Sequence, residues 1–232
     1  MAADPPHPAL RNLTELVADN LREAILAGTL RPGQRVSDAE IAAQMGTSRS
    51  PVRDALRQLE KDGLVVSAPN RGAIVRRLTE VDIRQLNTIR GMLEGLAAAW
   101  ACEHITDMDI LVLEGLCREM EKALPVRTSA ERLRLQRPIE EFHRRLVAAA
   151  RAPMLEEILS SIWMQIRMAM AAANRNPRVS ELVHEHEELI DALKRRDAAA
   201  AELAAREITA KSAARALPML GEESADGESR EM

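Results

Sequence analysis

The sequence is poor in aromatic residues: its 232 positions include no tyrosine, one phenylalanine and two tryptophans. Because β-strands favour aromatic and β-branched side chains, a core filled by leucine, isoleucine, valine, alanine and methionine favours packed helices over a sheet sandwich. The length allows one large or two modest domains.

Cysteines and long apolar runs are also scarce. The two cysteines, Cys102 and Cys117, are too few for a disulfide framework and fall on apolar stripes of predicted helices, where we expect core residues. No apolar run reaches the roughly 18 residues that a membrane span needs. The N-terminus lacks the basic-then-apolar pattern of a signal peptide. We therefore expect a cytoplasmic protein with a disordered lead-in at residues 1–9.

The charge of the chain is divided unevenly. Residues 31–77 carry nine lysines and arginines against five acidic residues, a net charge of +4, whereas the whole chain carries −4. A basic module attached to an acidic remainder indicates that the basic part faces a polyanion. Charge alone is equally compatible with an ordinary solvated surface.

Residues 10–77 show the order helix, short helix, tight turn, helix and β-hairpin. The first helix has an apolar stripe at helical spacing, formed by Leu13, Leu16, Val17, Leu21 and Ile25. "LRPGQRV" is interpreted as a turn, and Ser37 with Glu40 as a capping box that begins the second helix. "LVV" and "AIV" flank "SAPNRG" as the strands of a hairpin. The order predicts a winged helix-turn-helix.

The third helix of this module lies in "TSRSPVRDALRQLEKDGLV", residues 47–65. Ser48 is the predicted N-cap, and Gly63 ends the helix. The spacing i, i+3, i+4, i+7 predicts a buried seam of Val52, Ala55, Leu56 and Leu59. The opposite face is left free for a partner.

The free face of the third helix predicts a contact with DNA. Three arginines recur every four residues off the seam, and the arginine fork matches guanine O6 and N7 or a phosphate. Serine hydroxyls and backbone N–H groups at the helix start can hold a phosphate, and the hairpin tip would reach the neighbouring groove. The predicted DNA-binding residues are Ser48, Arg49, Ser50, Arg53, Arg57, Asn70, Arg71 and Gly72. The alternative is a small helical bundle with surface arginines.

The stretch "LRPGQRVSDAEIAAQMGTSRSPVRDALRQLEKDGLVVSAPNRGAIV" resembles the N-terminal domain of the GntR family of bacterial transcription regulators. The resemblance covers the module nearly end to end and implies DNA contacts by Arg49, Arg53 and the wing around Arg71 and Gly72. The family often has an arginine in the short second helix, where this sequence has Ala39. We therefore expect one DNA contact to be missing.

Residues 78–217 predict an all-helical bundle of about six helices with short links, bounded by threonine, asparagine, aspartate and proline signals. "IRGMLEGLAAAWA", "EEFHRRLVAAARAPML" and "HEELIDALKRRDAAAAELAA" resemble the effector-binding and dimerisation domain (FCD domain) of the FadR-type subfamily. The tail, residues 218–232, is acidic and rich in glycine and serine, so we expect it to be disordered.

In many relatives, this bundle holds a divalent metal ion of the zinc, nickel or manganese type through one aspartate and three histidines. The metal then binds a small organic acid. The resemblance implies that His143 and His186 match two of the ligands. The aspartate position is occupied by Ile139, and the last histidine position by Ile208, or by Glu207 if the register slips by one residue.

Two histidines alone bind a divalent ion weakly. The substitute ligands Glu140 and His184 each lie about 100° round their helix from the expected place, and His184 cannot face inward together with His186 because i and i+2 diverge. We expect little tightly bound metal and a more apolar pocket.

The resemblance also implies that an arginine of the first bundle helix helps to bind the effector, and Arg90 matches it, with Glu94 one turn further on. A buried arginine needs an anionic partner. Glu94 or a ligand carboxylate can supply it, and we expect the ligand. The predicted effector-binding residues are Arg90, Glu94, His143 and His186.

The predicted function is a ligand-responsive, dimeric repressor of metabolic genes that binds a palindromic operator and is released by a small carboxylate. An alternative keeps the DNA-binding role but is metal-free with an apolar effector such as an acyl thioester. A remote alternative is a helical metal-binding protein or enzyme with an incidental N-terminal module. We can assemble no Ser-His-Asp or Cys-His constellation, so we do not expect an enzyme.

Overall fold

The computed structural model describes residues 12–68, 72–126, 128–172 and 181–216, which are mainly helical. The helices are α1 (Leu13–Leu26), α2 (Asp38–Gln44), α3 (Arg49–Lys61), α4 (Glu80–His104), α5 (Asp107–Lys122), α6 (Ser129–Ala149), α7 (Pro153–Ala172), α8 (Leu182–Lys194) and α9 (Ala198–Ala216). The strands are β1 (Arg35–Val36), β2 (Val65–Ala68) and β3 (Gly72–Val75). The predicted winged helix-turn-helix followed by six helices is confirmed. The predicted lead-in and acidic tail lie outside the described residues.

The chain divides into two compact units between Arg77 and Leu78, and the end of α7, Arg167–Ala172, groups with the first unit. We call them the N-terminal unit and the C-terminal unit. None of the helices in the described ranges is long and apolar enough to cross a membrane.

The core of the N-terminal unit is made largely by one face each of α1 and α3, and the sheet adds residues such as Val65 and Val75. The predicted seam of α3 is buried over its whole length. In α1, however, the stripe is wrong at its beginning, because Leu13 and Leu16 are 44% and 43% exposed. The face that α1 buries consists of Val17, Ala18, Leu21, Ile25 and Leu26. The first turn of α1 instead has a capping box between Asn12 and Glu15 that the sequence analysis missed.

The three strands form an antiparallel sheet in the order β1-β3-β2. The interpretation of "LRPGQRV" as a turn only was wrong, since its last two residues form β1 and pair with Ile74 and Ala73 of β3. The turn precedes them: Gly33 has a φ of +83° and donates its N–H to the Val75 carbonyl at 2.8 Å. The strand could not be predicted because two paired residues are too few to show an alternation of polar and apolar side chains in the sequence.

The helices of the C-terminal unit begin at threonines that act as N-caps. Thr79, Thr106 and Thr128 each accept a backbone N–H three residues on, and the acidic residue there accepts the threonine N–H in return. These reciprocal bonds satisfy two otherwise unpaired donors per helix. They mark the starts of α4, α5 and α6, and the predicted starts at Thr79 and Thr106 are confirmed.

The core of the C-terminal unit is mainly aliphatic around the fully buried Phe142, and the predicted burial of Cys102 and Cys117 is confirmed. Helix α4 packs along α9, and glycines make the approach close. A Cβ on Gly91 would lie 2.6 Å from Thr209 Oγ1, and one on Gly95 would lie 2.7 Å from Arg206 Cγ. A side chain at either glycine would therefore require Thr209 or Arg206 of α9 to move.

Candidate functional site

Helix α3 presents an arginine face to solvent. Its buried seam fixes the rotation of the helix, so Arg49, Ser50, Arg53 and Arg57 are all exposed. Pro51 falls in the first turn, where its missing N–H breaks no intrahelical bond. The sequence prediction of this exposed set is thus confirmed, while DNA contact by these residues stays a prediction.

Two of the three arginines on α3 are held by acidic residues of the N-terminal unit. Arg53 Nε donates to Asp38 Oδ2 of α2 at 2.8 Å, and Arg57 Nη1 donates to Asp54 Oδ1 at 3.0 Å. The hydrogen bond from Arg53 lowers the pKa of the Asp38 carboxyl below its usual value. Asp38 is therefore ionised at neutral pH, and the sequence analysis did not assign it a role.

The start of α3 differs in detail from the sequence prediction. Ser48 occupies the N-cap position, but its side chain makes no capping hydrogen bond. Its hydroxyl, which is exposed, is thus not committed to the helix. At α2, Ser37 Oγ accepts the N–H of Glu40 at 3.4 Å, which is one of the two bonds of the predicted capping box.

The wing contains one predicted DNA-binding residue that the structure describes, Gly72. Asn70 and Arg71 lie outside the described residues. Gly72 begins β3 with a φ of +84°, and a Cβ there would lie 2.2 Å from the carbonyl oxygen of Val36. Close approach to β1, together with the positive φ, explains the glycine without any DNA contact.

A side-chain bond links α3 to the wing. Glu60 accepts the Ser67 N–H at 2.9 Å through Oε1 and the Ser67 hydroxyl at 2.6 Å through Oε2. This link between α3 and β2 was missed, because neither residue stands out by type or spacing. It holds the first strand of the hairpin to the end of α3.

A buried polar cluster lies in the C-terminal unit, where α4, α6, α7 and α8 contribute side chains. Glu94 is fully buried, and its Oε1 accepts Arg90 Nε at 2.7 Å and Trp163 Nε1 at 2.6 Å. Of the two partners left open for Arg90, the structure thus pairs it with Glu94. Trp163 was not anticipated, since it is 69 residues from Glu94 in the chain.

The two matched histidines meet at this cluster. His143 Nδ1 lies 3.0 Å from Glu94 Oε2, although these two atoms are not aligned for a hydrogen bond. The rings of His143 and His186 are 5.5 Å apart, centre to centre. His184 points to solvent with 74% of its side chain exposed, so the prediction that only one of the two α8 histidines faces inward is confirmed.

The charges of the cluster follow from burial and neighbours. Burial by itself would raise the pKa of Glu94, but the positive charges of Arg90 and His143 outweigh it and hold that pKa well below the usual range. Burial, reinforced by the charge of His143, lowers the pKa of His186 to about 3. His186 is therefore neutral and donates Nδ1–H to the Leu182 carbonyl at 2.7 Å. Its Nε2, buried, is left with no hydrogen-bond partner among the described residues.

The residues present do not fit the four-ligand metal site that the resemblance implies. Ile208 is buried in the aliphatic core, and Ile139 packs against it. Nowhere in the described ranges are three or more histidine, cysteine or acidic side chains placed to hold one metal ion. Because isoleucine occupies two of the four ligand positions, too few donor atoms are left for a hard or borderline divalent cation.

Comparison with known proteins decides the family. The FCD domain matches residues 85–211, and the model of bacterial regulatory proteins of the gntR family matches residues 13–75. The chain belongs to the GntR family. It is a DNA-binding transcriptional regulator with an FCD domain, as the resemblance implied, and the gntR match extends from the start of α1 to the end of β3.

Its relatives include transcriptional regulators named after bacterial operons. The Nta operon transcriptional regulator of Aminobacter aminovorans is 34% identical over 156 residues, which cover 67% of this chain and 72% of that protein. The probable D-xylose utilization operon transcriptional repressor of Paenarthrobacter nicotinovorans is 31% identical over 186 residues, 80% of each. The solved structure of Escherichia coli McbR/YncC superimposes with a TM-score of 0.70 at 25% identity, covering 88% of this chain and 97% of that one.

Proposed function

We propose that the protein is a cytoplasmic, ligand-responsive repressor of metabolic genes that reads a palindromic operator with α3. The observation that supports the DNA contact is the separation of α3 into a buried apolar seam and an exposed face with Arg49, Arg53 and Arg57. A helix in the major groove needs this division, with its N-terminal residues free to contact base edges. In this proposal residues 10–77 bind DNA, and residues 78–217 bind the effector and form the dimer.

The DNA contact is tested by replacing Arg49 or Arg53 with alanine. Each variant should lose about 1–3 kcal/mol of specific binding to an operator duplex, because a bidentate base contact is removed. Arg195→Ala, an exposed arginine at the end of α8, is the surface control. If both α3 variants bind the operator as tightly as the control does, α3 is not the recognition helix.

The effector proposal rests on Arg90. Its side chain is only 8% exposed, and Nε is engaged by Glu94. Its terminal amino groups make no hydrogen bond to any residue that the structure describes. A small carboxylate could bind those amino groups in bidentate fashion. The alternative of an apolar or acyl-type effector is supported by Ile139 and Ile208, which stand where the family has polar ligands.

The effector proposal predicts that Arg90→Lys, which keeps a positive charge beside Glu94 but loses the guanidinium fork, binds operator DNA as the unaltered protein does but is no longer released by the effector. A thermal-shift screen of organic acids and acyl thioesters, with and without divalent metal ions, identifies the effector class, since a ligand of the folded state raises the melting temperature. An Arg90 variant that still responds would place the pocket elsewhere. Stoichiometric metal that is lost in His143→Ala would contradict a metal-free site.

The proposed dimer is supported by an apolar stripe on α4. Ile89, Met92, Leu96 and Trp100 recur at helical spacing on one side of the helix and are between 36% and 57% exposed. Contiguous exposed apolar side chains of this kind mark interaction surfaces, and a two-fold axis would pair the stripe with itself. Met92→Asp should shift the sedimentation coefficient to that of a monomer, and an unchanged dimer would exclude this surface.

A further inference from the structure

Asp38 contacts the arginine in the middle of the exposed face of α3. Its Oδ2 accepts Arg53 Nε at 2.8 Å, and its side chain is 16% exposed against 61% for that of Arg53. Asp38 is the first residue of α2, and Ser37 caps this helix through the N–H of Glu40. The carboxylate of Asp38 is therefore held at the capped start of α2, whereas the Arg53 side chain extends into solvent.

The bond to Nε determines which edge of the Arg53 guanidinium is available. Within the described residues Arg53 makes no further hydrogen bond, so its two terminal amino groups are free. An arginine held at Nε can present these two groups end-on as a fork, which is the edge that matches guanine O6 and N7 or two phosphate oxygens. Without a second anchor, an exposed arginine samples many rotamers and loses that freedom on binding.

We propose that Asp38 is a positioning residue: it fixes the Arg53 guanidinium in the orientation that reads a base and thereby contributes to sequence discrimination. The inference rests on the proposed DNA contact of Arg53. It assigns to α2 a part in recognition that does not require α2 itself to touch DNA.

The positioning role and simple charge repulsion predict opposite changes in affinity for the specific duplex when Asp38 is removed. An acidic side chain beside DNA repels phosphates, so removing its charge should by itself tighten binding to any duplex. If Asp38 positions Arg53, removing it should instead weaken binding to the specific duplex and leave binding to other DNA equal or tighter. The ratio of the two affinities is therefore the decisive quantity.

The test measures dissociation constants for Asp38→Asn and Asp38→Ala on two duplexes. The first is enriched from a random-sequence pool by the unaltered full chain, and the second is a scrambled duplex of the same length and composition. Ordering one side chain in advance corresponds to about two- to tenfold in affinity, so Asp38→Ala should bind the enriched duplex weaker by about that factor. Asp38→Asn should lose less, because its amide oxygen can still accept from Arg53 Nε. Both variants should bind the scrambled duplex at least as tightly as before. Equal or tighter binding of Asp38→Ala to both duplexes would overturn the proposal.

A matched control and a double-mutant cycle separate positioning from folding. Glu40→Gln removes the same charge from the same turn of α2 without a contact to Arg53, and it should not weaken binding to the enriched duplex. Asp38→Ala should not weaken binding further in an Arg53→Ala background, because the positioning effect passes through that side chain and only the loss of charge repulsion remains. A loss of affinity of equal size in both backgrounds would identify a purely structural role. Asp38→Asn keeps the size of the side chain and is the variant less prone to misfolding.

The same data separate failure of the inference from failure of the DNA contact. If Arg53→Ala binds the enriched duplex as the unaltered protein does, Arg53 makes no base contact, and the role of Asp38 is lost with it. If Arg53→Ala weakens binding but neither Asp38 variant does, only the positioning role is wrong.

Discussion

Replacing Glu94 by glutamine is expected to destabilise the C-terminal unit strongly. Glutamine keeps the shape of the side chain and one carbonyl acceptor but removes the negative charge. Arg90 would then hold a positive charge, 8% exposed, without its counterion, and Trp163 would lose a charged acceptor. A charge cannot be buried in an apolar interior without compensation.

The magnitude follows from the burial of the pair. Removing one partner of a buried ion pair costs about 3–5 kcal/mol, because the other charge is left uncompensated. A domain has a total stability of about 5–15 kcal/mol, so this single substitution should remove a large share of it. Helix α4 carries its own comparison: Glu80 and Arg84 form a pair with the same four-residue separation, but they are 51% and 62% exposed. Breaking an exposed pair of this kind costs only about 0.2–1 kcal/mol.

Urea unfolding followed by tryptophan fluorescence measures the effect. Both tryptophans, Trp100 and Trp163, lie in the C-terminal unit, so their emission reports on that unit. Glu80→Gln is the matched control. In the double variant Arg90→Met/Glu94→Leu both charges are absent, and most of the lost stability should return because an apolar pair can replace a buried ion pair.

Two results would refute this reasoning. A loss in Glu94→Gln no greater than that in Glu80→Gln would mean that water reaches the Arg90 guanidinium. A double variant less stable than Glu94→Gln would mean that the two charges stabilise the unit by more than offsetting the cost of burying each other.

Three further outcomes are expected. Burial and the charge of His143 lower the pKa of His186 from 6.5 to about 3, so unfolding takes up a proton between those pH values. The free energy of unfolding should therefore fall by about 1.4 kcal/mol per pH unit as the pH drops below 6.5. The urea midpoint of His186→Gln should fall less steeply over the same pH range. Gly72→Ala should lower the melting temperature more than Gly46→Ala, because both have positive φ but only the first would meet a backbone oxygen; equal losses would contradict this. Cys102 and Cys117 should react with thiol reagents only in denaturant, since burial raises both thiol pKa values, that of Cys117 to about 12.

The sequence predicted helix α3 well because several independent signals coincide there. The apolar spacing of α3, its N-cap position at Ser48 and its glycine stop at Gly63 all require the same helix. Each signal depends on residues within one or two turns of the others. The burial of the seam and the exposure of the arginines then follow from the rotation of a single helix.

Contacts between distant parts of the chain could not be predicted in this way. The bond from Trp163 to Glu94 joins α7 to α4, and the bond from Arg53 to Asp38 joins two helices that the turn between them brings together. No periodicity within one segment carries that information. The predicted burial of Leu13 and Leu16 was wrong for the same reason. Their spacing is helical, but their burial depends on whether another part of the unit packs over them.

The close contact at Gly91 and Gly95 constrains how α4 can move within the C-terminal unit. A side chain on α4 at either level would meet Thr209 or Arg206 of α9, where only hydrogen fits while those side chains keep their positions. A movement of α4 that brings another residue to these positions therefore requires Thr209 and Arg206 to move as well. Arg90 and Glu94, the neighbours of these glycines in sequence, are thereby coupled to α9.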